Sequence, residues 1–138
     1  MTKIRPYIPI DYPDIKQNLI EGDLFYEELD NEGRINQKIQ NNPNSILVTE
    51  LDGKAVGNVF IMDDGWMALI FHLAVRKDYQ HKGIGTELLK AAESYLKDKG
   101  YKEVQIVVRE ANPELLGYYE KLGYQKGGSF RWMTKELH

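Results

Sequence analysis

Apolar and polar residues alternate most regularly in the middle of the 138-residue chain. Residues 46–51 and 54–61 are two β-branched, apolar runs joined by Asp52-Gly53, which is typical of a β-hairpin. Asp63-Asp64-Gly65 is a second turn of the same kind, and it leads into the run from Trp66 to Val75. Because that run is apolar at successive positions, it predicts an interior strand covered on both faces. The centre of the chain therefore predicts three antiparallel strands.

Segments in which apolar residues recur at helical spacing precede and follow these strands. A helix is predicted from Asp11 to Gly22. Residues 23–42 contain a second, less regular helical stretch, and residues 84–99 form an amphipathic helix. At the start of the chain, Lys3 to Ile8 predict a strand, which lies at a sheet edge because Pro6 cannot donate to a ladder.

The last third of the chain predicts a strand, a helix and a closing pair of strands. Residues 103–108 are rich in β-branched residues, which favours a strand. Asn112-Pro113 predicts the start of a helix, with asparagine as its N-cap and proline in its first turn, and Gly123 predicts its end. Tyr124 and the stretch 130–135 suggest the two closing strands.

This order of elements predicts a mixed α/β (α+β) fold on a single central, mostly antiparallel, twisted sheet of about six to seven strands. Residues 103–108 follow a helix, so they are expected to run parallel to the strand before that helix. One parallel pair and about four flanking helices complete the predicted fold. The length suits one domain, residues 1–138, with one core.

Composition and charge exclude several classes of function. The formal net charge is −3 with no long basic tract, so no nucleic-acid partner is expected. The chain has no cysteine, which excludes disulfides, thiolate zinc sites and a cysteine nucleophile. No apolar run approaches membrane-spanning length, and the first residues lack the apolar core of a signal peptide. We therefore expect no membrane partner and a cytoplasmic location.

A glycine-rich loop, Gln80-His81-Lys82-Gly83-Ile84-Gly85, joins the apolar strand to the amphipathic helix. A helix start leaves backbone N–H groups without partners at the positive end of the helix dipole, and glycines allow an anion to approach. The loop therefore predicts a site for diphosphate or a similar group, although Gly-x-Gly also serves tight turns that bind nothing. No Walker loop is present, and the dinucleotide fingerprint fails because Leu88 occupies the position of its third glycine.

The same loop resembles the Gln/Arg-x-x-Gly-x-Gly/Ala signature of the GCN5-related N-acetyltransferases (GNATs). The segment Tyr118 to Tyr124 resembles that family's aromatic-Tyr-Glu-x-x-Gly-Phe/Tyr motif. The resemblance covers about residues 45–126 with specific motifs, and the earlier part only in outline. It implies the GNAT fold and direct transfer of an acetyl group from acetyl-CoA to a primary amine in a ternary complex. The amine could belong to a small molecule, a peptide N-terminus or a lysine.

By this resemblance, acetyl-CoA is the co-substrate, no metal is needed, and the cofactor lies where two parallel strands part. The pantetheine arm would bind the backbone of Leu73, Ala74 and Val75. Asn112 would bond the arm, although its role as an N-cap already explains it. The pyrophosphate would bind backbone amides of the loop and first helical turn: Gln80, His81, Lys82, Gly83, Ile84, Gly85 and Thr86.

Tyr119 falls on the family's tyrosine, the usual general acid for the departing CoA thiolate. A phenol with a pKa of ~10 can donate to a thiolate of similar basicity. A core aromatic on a helix stripe is the alternative role.

The general base is less evident, because the family's strand carboxylate is absent from the stretch Ile70 to Leu73. His72 is the candidate base in that stretch, since imidazole titrates near neutral pH, but it could equally be a hydrogen-bonded core histidine. Glu50 and Asp63, on neighbouring strands, are more remote alternatives. No base is needed if the amine arrives neutral.

The acceptor side is implied to lie in the segment Glu21–Glu32, where Phe25 and Tyr26 would contact the substrate. Its carboxylates would draw a cationic amine, or would simply form a solvated face. A non-catalytic acyl-CoA-binding sensor is the alternative function. The sequence allows a homodimer without specifying the oligomeric state.

Overall fold

The hairpin of residues 46–63 lies at the centre of a five-stranded sheet. The strands, in their order across the sheet, are β1 (Lys3–Pro6), β2 (Ile46–Leu51), β3 (Lys54–Asp63), β4 (Ala68–Val75) and β5 (Gln105–Ile106). Neighbouring strands are antiparallel except for β4 and β5, which are parallel. The predicted edge position of the first strand and the predicted parallel pair are both confirmed.

This computed structural model describes residues 1–138 as two compact units, Met1–Val107 and Val108–His138. The first unit contains the whole sheet and four helices, and the second contains one helix. None of these helices combines the length and the apolar character needed to cross a lipid bilayer. The helices are α1 (Tyr12–Glu21), α2 (Glu27–Asp30), α3 (Glu32–Asn41), α4 (Ile84–Asp98) and α5 (Pro113–Lys121).

The predicted helical stretch in residues 23–42 is divided into two helices at Asn31. The backbone of Asn31 is extended, and its side chain accepts the N–H of Arg34 as the N-cap of α3. Asn31 also donates to the carbonyl of Glu27 in α2 at 2.8 Å. One side chain therefore ends one helix and starts the next, which explains the irregular spacing in the sequence.

Strand β3 is the most deeply buried strand of the sheet. Alternate side chains of β3 face opposite layers, as pleating requires. Phe60 packs in the cluster formed with α1 and α3, whereas a Cβ added at Gly57 would lie 3.1 Å from atoms of Ile84 and Leu88 in α4. The sheet is therefore covered by α1 and α3 on one face and by α4 on the other. Strand β4 is interior as predicted, but it is less deeply buried than β3.

Several sequence-based expectations need correction. The predicted strand at 103–108 pairs only at Gln105 and Ile106, and the closing strands predicted at Tyr124 and 130–135 are absent, since residues 122–138 form no helix or strand. The sheet therefore has five strands rather than about six to seven, and five helices are present where about four were predicted. A β-branched or alternating pattern suits a strand, but a strand also needs a hydrogen-bonded backbone partner, which local pattern does not specify.

Candidate active site

Strand β4 is interrupted by a β-bulge at His72. Phe71 pairs with Phe60 and Ala74 with Asn58, so two residues of β4 lie opposite one residue of β3. His72 has a φ of 51°, a left-handed conformation that costs a residue with a Cβ about 1–2 kcal/mol. Such a conformation persists only where the surroundings hold it in place.

A chain of hydrogen bonds holds the bulge from the interior. The Asn58 amide donates to the carbonyl of His72 at 2.9 Å, and Asn18 of α1 donates to Asn58 Oδ1 at 3.0 Å. Both asparagines are fully buried. Arg76, just after β4, donates through Nε to Asn18 Oδ1 at 2.8 Å and reaches the carbonyl of Asp14. The two ends of the bulged segment are thus connected to α1.

Beyond the bulge, β4 no longer pairs with β5. The parallel pairing is limited to Leu69 with Gln105 and Ile70 with Ile106. On this side, the backbone from Phe71 to Val75 has no ladder partner from β5. Unpaired backbone groups of this kind can accept an extended ligand as an additional strand. Leu73, Ala74 and Val75 lie in this stretch.

The loop after β4 leads directly to the N-terminus of α4. Gln80 donates its side-chain amide to the carbonyl of Val75 at 3.0 Å, which draws the loop back onto the end of the strand. His81 and Gly83 have positive φ, 63° and 82°. Gly83 is the N-cap of α4, so no side chain caps the first turn. Lys82, in the same loop, has its Nζ 5.5 Å from the centre of the Tyr79 ring.

These features fit a pyrophosphate. The first N–H groups of a helix have no intrahelical acceptor, and they lie at the positive end of the helix dipole. A Cβ placed on Gly83 would have no atom within 4 Å, so the surface there is open to an incoming group. Glycine is favoured at this position by its positive φ rather than by crowding.

The imidazole of His72 is paired with a buried carboxylate that the sequence did not single out. His72 Nε2 lies 3.1 Å from Oδ1 and 3.0 Å from Oδ2 of Asp30 at the end of α2. The side chain of Asp30 is only 4% exposed, and that of His72 is 19% exposed. The two residues are 42 positions apart, so no short motif links them. The only sequence signal was the position of Asp30 in the acidic acceptor segment.

Two aromatic rings contact the same imidazole, and a lysine packs against one of them. The ring centre of His72 is 5.0 Å from that of Phe60 and 5.4 Å from that of Phe71. Lys38 of α3 has its Nζ 5.3 Å from the centre of the Phe71 ring and donates to the carbonyl of Ile61. Burial lowers the pKa of Lys38 to about 8. Lys38 therefore packs against Phe71, one of the two aromatic rings that contact His72.

Replacing Lys38 with methionine should change how stability depends on pH. The folded-state pKa, about 8, lies below the ordinary value of 10.5, so between these values the unfolded chain binds more protons than the folded chain. Wild-type stability should therefore rise with pH in this window, whereas the variant lacks this term. As the pH rises through this window, the unfolding free energy of the variant minus that of the wild type should fall by up to about 3 kcal/mol. Urea denaturation at several pH values measures this difference.

The exposed Lys54 provides the control for this measurement, since Lys54→Met also removes one positive charge but at a solvated position. A Lys38→Met difference that stays constant from pH 8 to pH 10.5 would show that Lys38 is not desolvated in the folded protein.

The other predicted base and acceptor residues have partners of their own. Glu50 accepts from Arg5 Nε at 2.7 Å, and Asp63 is paired with Lys99 at 2.6 Å. Phe25 packs against the core cluster, with Lys16 Nζ 5.2 Å from its ring centre. The side chain of Tyr26 is about half exposed, while its N–H donates to Asp30 at 2.9 Å.

Asn112 and Tyr119 belong to the second unit, on α5. The predicted N-cap is confirmed, because the side chain of Asn112 accepts the N–H of Leu115 at 3.1 Å. The Tyr119 ring contacts Tyr118 and Tyr124 with centres 5.2 and 5.6 Å apart. Burial raises the pKa of Tyr119 to about 12, so its hydroxyl carries a proton at neutral pH.

Comparison with known proteins gives a consistent result. Residues 13–124 match the model of the acetyltransferase (GNAT) family. An acetyltransferase of Yersinia pestis (strain Pestoides F) is 35% identical over 123 residues, which are 89% of this chain and 87% of that protein. An acetyltransferase of Pectobacterium atrosepticum is 34% identical over 103 residues, 75% of this chain and 73% of that one.

Two solved structures share the fold. Ard1 from Thermoplasma volcanium superposes with a TM-score of 0.81 at 23% identity, covering 92% of this chain and 84% of its own. A PaiA N-acetyltransferase from Thermoplasma acidophilum, in complex with coenzyme A, has a TM-score of 0.79 at 20% identity, covering 94% and 93%. The predicted fold class and the predicted acetyl-CoA-dependent N-acetyltransferase activity are confirmed at the level of the family. The chain belongs to the acetyltransferase (GNAT) family.

Proposed function

We propose that the protein transfers the acetyl group of acetyl-CoA to a primary amine by direct attack in a ternary complex. The observation that carries the proposal is that the unpaired edge of β4, at 71–75, leads directly into the uncapped N-terminus of α4. The strand edge can bind an extended arm, and the helix N-terminus can bind an anionic group attached to that arm. In a member of an acetyltransferase family, acetyl-CoA is the ligand with this shape.

On the donor side, the backbone of Leu73, Ala74 and Val75 would hold the pantetheine arm. Backbone amides from Gln80 to Thr86 would hold the pyrophosphate. The Gln80 side chain is bonded to the Val75 carbonyl, so we assign it to shaping the loop. Asn112 caps α5 through its oxygen, which leaves its amide NH2 as the group that would donate to the arm.

In the proposed reaction, one residue takes a proton from the acceptor and another gives a proton to the leaving group. The acceptor ammonium gives a proton to His72, and its nitrogen then forms a bond to the acetyl carbon while the carbon–sulfur bond breaks. Tyr119 donates its proton to the departing CoA thiolate, and the second proton, which the nitrogen loses as the amide forms, restores the Tyr119 phenol. Its raised pKa, about 12, means that the proton is present at physiological pH.

The acceptor side is proposed from the segment between α1 and α3. Phe25 and Tyr26 would contact the acceptor. Asp30, at the end of α2, accepts the N–H of Tyr26 and contacts His72. The acceptor would be a small amine, a peptide N-terminus or a lysine side chain. A cytoplasmic location and independence from nucleic acid, consistent with the net charge of −3, belong to the same proposal.

Acetyl-CoA should stabilise the folded protein. At a concentration of 100 times its Kd, a ligand that binds only the folded state adds ~2.7 kcal/mol. Thermal unfolding with and without acetyl-CoA measures this shift, and Gly83→Ala should reduce it because the loop conformation becomes strained. Gly53→Ala is a matched control: Gly53 has a φ of 78° in the hairpin turn and, like Gly83, has no atom within 4 Å of an added Cβ. Equal ligand shifts in both variants would count against the loop as the cofactor site.

Turnover separates an enzyme from an acyl-CoA sensor. A panel of small amines, peptide N-termini and lysine peptides, followed by release of free thiol, should identify at least one acceptor. Stabilisation by acetyl-CoA without thiol release for any amine would favour the sensor. Absence of any stabilisation by acetyl-CoA at millimolar concentration would overturn the proposal.

A further inference from the structure

The pairing of Asp30 with His72 has a defined geometry. Both carboxylate oxygens lie within 3.1 Å of the same ring nitrogen, Nε2. The carboxylate does not move freely, because its Oδ2 also accepts the N–H of Tyr26 at 2.9 Å. The backbone carbonyl of Asp30 accepts the hydroxyl of Tyr12 from α1 at 2.9 Å. Contacts from α1 and α2 therefore hold the carboxylate in place.

This geometry selects one tautomer of a neutral His72. An ionised carboxylate has acceptor sites only, so Nε2 must carry the ring proton in order to donate to it. The lone pair of the neutral ring is then on Nδ1. The aromatic contacts with Phe60 and Phe71 and the backbone bulge limit rotation of the ring. The aromatic contacts, the backbone conformation and the hydrogen bond to Asp30 together fix the orientation of the imidazole ring.

We propose that Asp30 is a positioning residue that holds His72 with its proton on Nε2 and its Nδ1 lone pair available to the acceptor amine. The inference rests on the proposed function, in which His72 takes one proton from the acceptor ammonium. Asp30 itself neither contacts the acceptor nor changes its protonation during transfer. The acidic acceptor segment thereby contributes one specific carboxylate to the chemistry, in addition to any general attraction for cations.

The tautomer of His72 tests the proposal directly on the wild-type protein. Nitrogen NMR of ¹⁵N-histidine-labelled protein distinguishes a protonated ring nitrogen from an unprotonated one. The chain has three histidines, and the spectrum of His72→Asn identifies the signals of His72. We expect neutral His72 to carry its proton on Nε2. A neutral ring protonated on Nδ1 would overturn the proposal, and so would a ring that exchanges freely between tautomers.

Asp30→Asn should shift this tautomer and reduce kcat. The N–H of Tyr26 keeps the amide oxygen at the position of Oδ2, 3.0 Å from His72 Nε2, and the NH2 group replaces the acceptor Oδ1 at 3.1 Å, so the preference for the ring proton on Nε2 is weakened. We expect kcat to fall about tenfold or more, up to the 10²–10⁴-fold that an acid–base group typically contributes, with acetyl-CoA binding unchanged. In the His72→Asn background, Asp30→Asn should have little further effect, because the two residues act as a unit.

Asp11→Asn is the matched control. Asp11 is also buried, pairs with Arg5 and accepts a backbone N–H, that of Ile8 at 2.9 Å, but it lies outside the site. It should lower stability without changing kcat or the tautomer of His72. Equal effects of the two substitutions on kcat, or additive effects of Asp30→Asn and His72→Asn, would overturn the proposal. The NMR measurement needs no acetyl-CoA, so a failure of the proposed transfer reaction would be distinguished from a failure of this inference.

Discussion

Replacing Tyr119 with phenylalanine is expected to lower kcat/KM about 10²-fold or more, with little change in stability. The substitution removes only the hydroxyl that would protonate the departing CoA thiolate, and a positioned acid–base group typically contributes 10²–10⁴-fold. The ring and its contacts with Tyr118 and Tyr124 are retained. Because the lost interaction is made only in the transition state, kcat should fall with kcat/KM. Steady-state kinetics by thiol release measures both.

The matched control is Tyr95→Phe in α4, which removes a phenol hydroxyl bonded to Asn42 rather than one assigned to catalysis. Its effect on kcat/KM should be below about threefold. A change as small as this in Tyr119→Phe, with chemistry shown to be rate-limiting, would remove Tyr119 as the acid. Ionisation of Tyr119 should not reduce activity below pH ~10, since burial raises its pKa to about 12.

Replacing Asn58 with alanine is expected to lower the unfolding free energy by about 2–4 kcal/mol. Asn58 donates to the carbonyl of His72 and accepts from Asn18, and all of these contacts are buried or partly buried. Its removal leaves the carbonyl of His72 and one N–H of the Asn18 amide without partners, at about 1–3 kcal/mol for each unsatisfied group, while the other N–H of that amide still donates to Ala55. The left-handed conformation of His72 also loses a support, so kcat should fall as well. Urea denaturation and acceptor turnover measure the two effects.

Thr49→Val is the control for this change, because Thr49 is equally buried but its hydroxyl has no hydrogen-bond partner. Replacing that hydroxyl with a methyl group should leave stability unchanged or raise it, since a buried polar group without a partner is costly. If Asn58→Ala were as mild as Thr49→Val, the hydrogen-bond chain would not be what holds the bulge.

Predictions from local signals agree well with the structure. The turn at Asp52-Gly53 has φ values of 52° and 78°, as a two-residue hairpin loop with positive φ at both residues requires. The N-cap of α5 at Asn112 and the positive φ of Gly100 and Gly123 after α4 and α5 also agree. Each depends on interactions within about five residues, so the amino-acid pattern carries the information.

Predictions that depend on long-range pairing were less successful. The short β5 and the absence of strands at 130–135 reflect which backbones meet, and neighbouring residues do not encode this. The bulge at His72 was also not foreseen, because the stretch Leu69 to Val75 reads as a regular apolar strand. Its left-handed residue is held by Asn58, fourteen positions earlier.

The half of the site that is proposed to bind the donor can be located from the order of residues in the chain. The strand, the glycine loop and the start of α4 are consecutive, and the conformation of Gly83 is a local requirement. The half that is proposed to receive the amine depends instead on long-range packing. This packing brought Asp30 to His72 across 42 residues and buried the carboxylate, because the contacts of α1 and α2 with the sheet fix that distance. Backbone amides in one turn can be recognised from their order in the chain, whereas a pair of side chains from α2 and β4 exists only once both elements have packed.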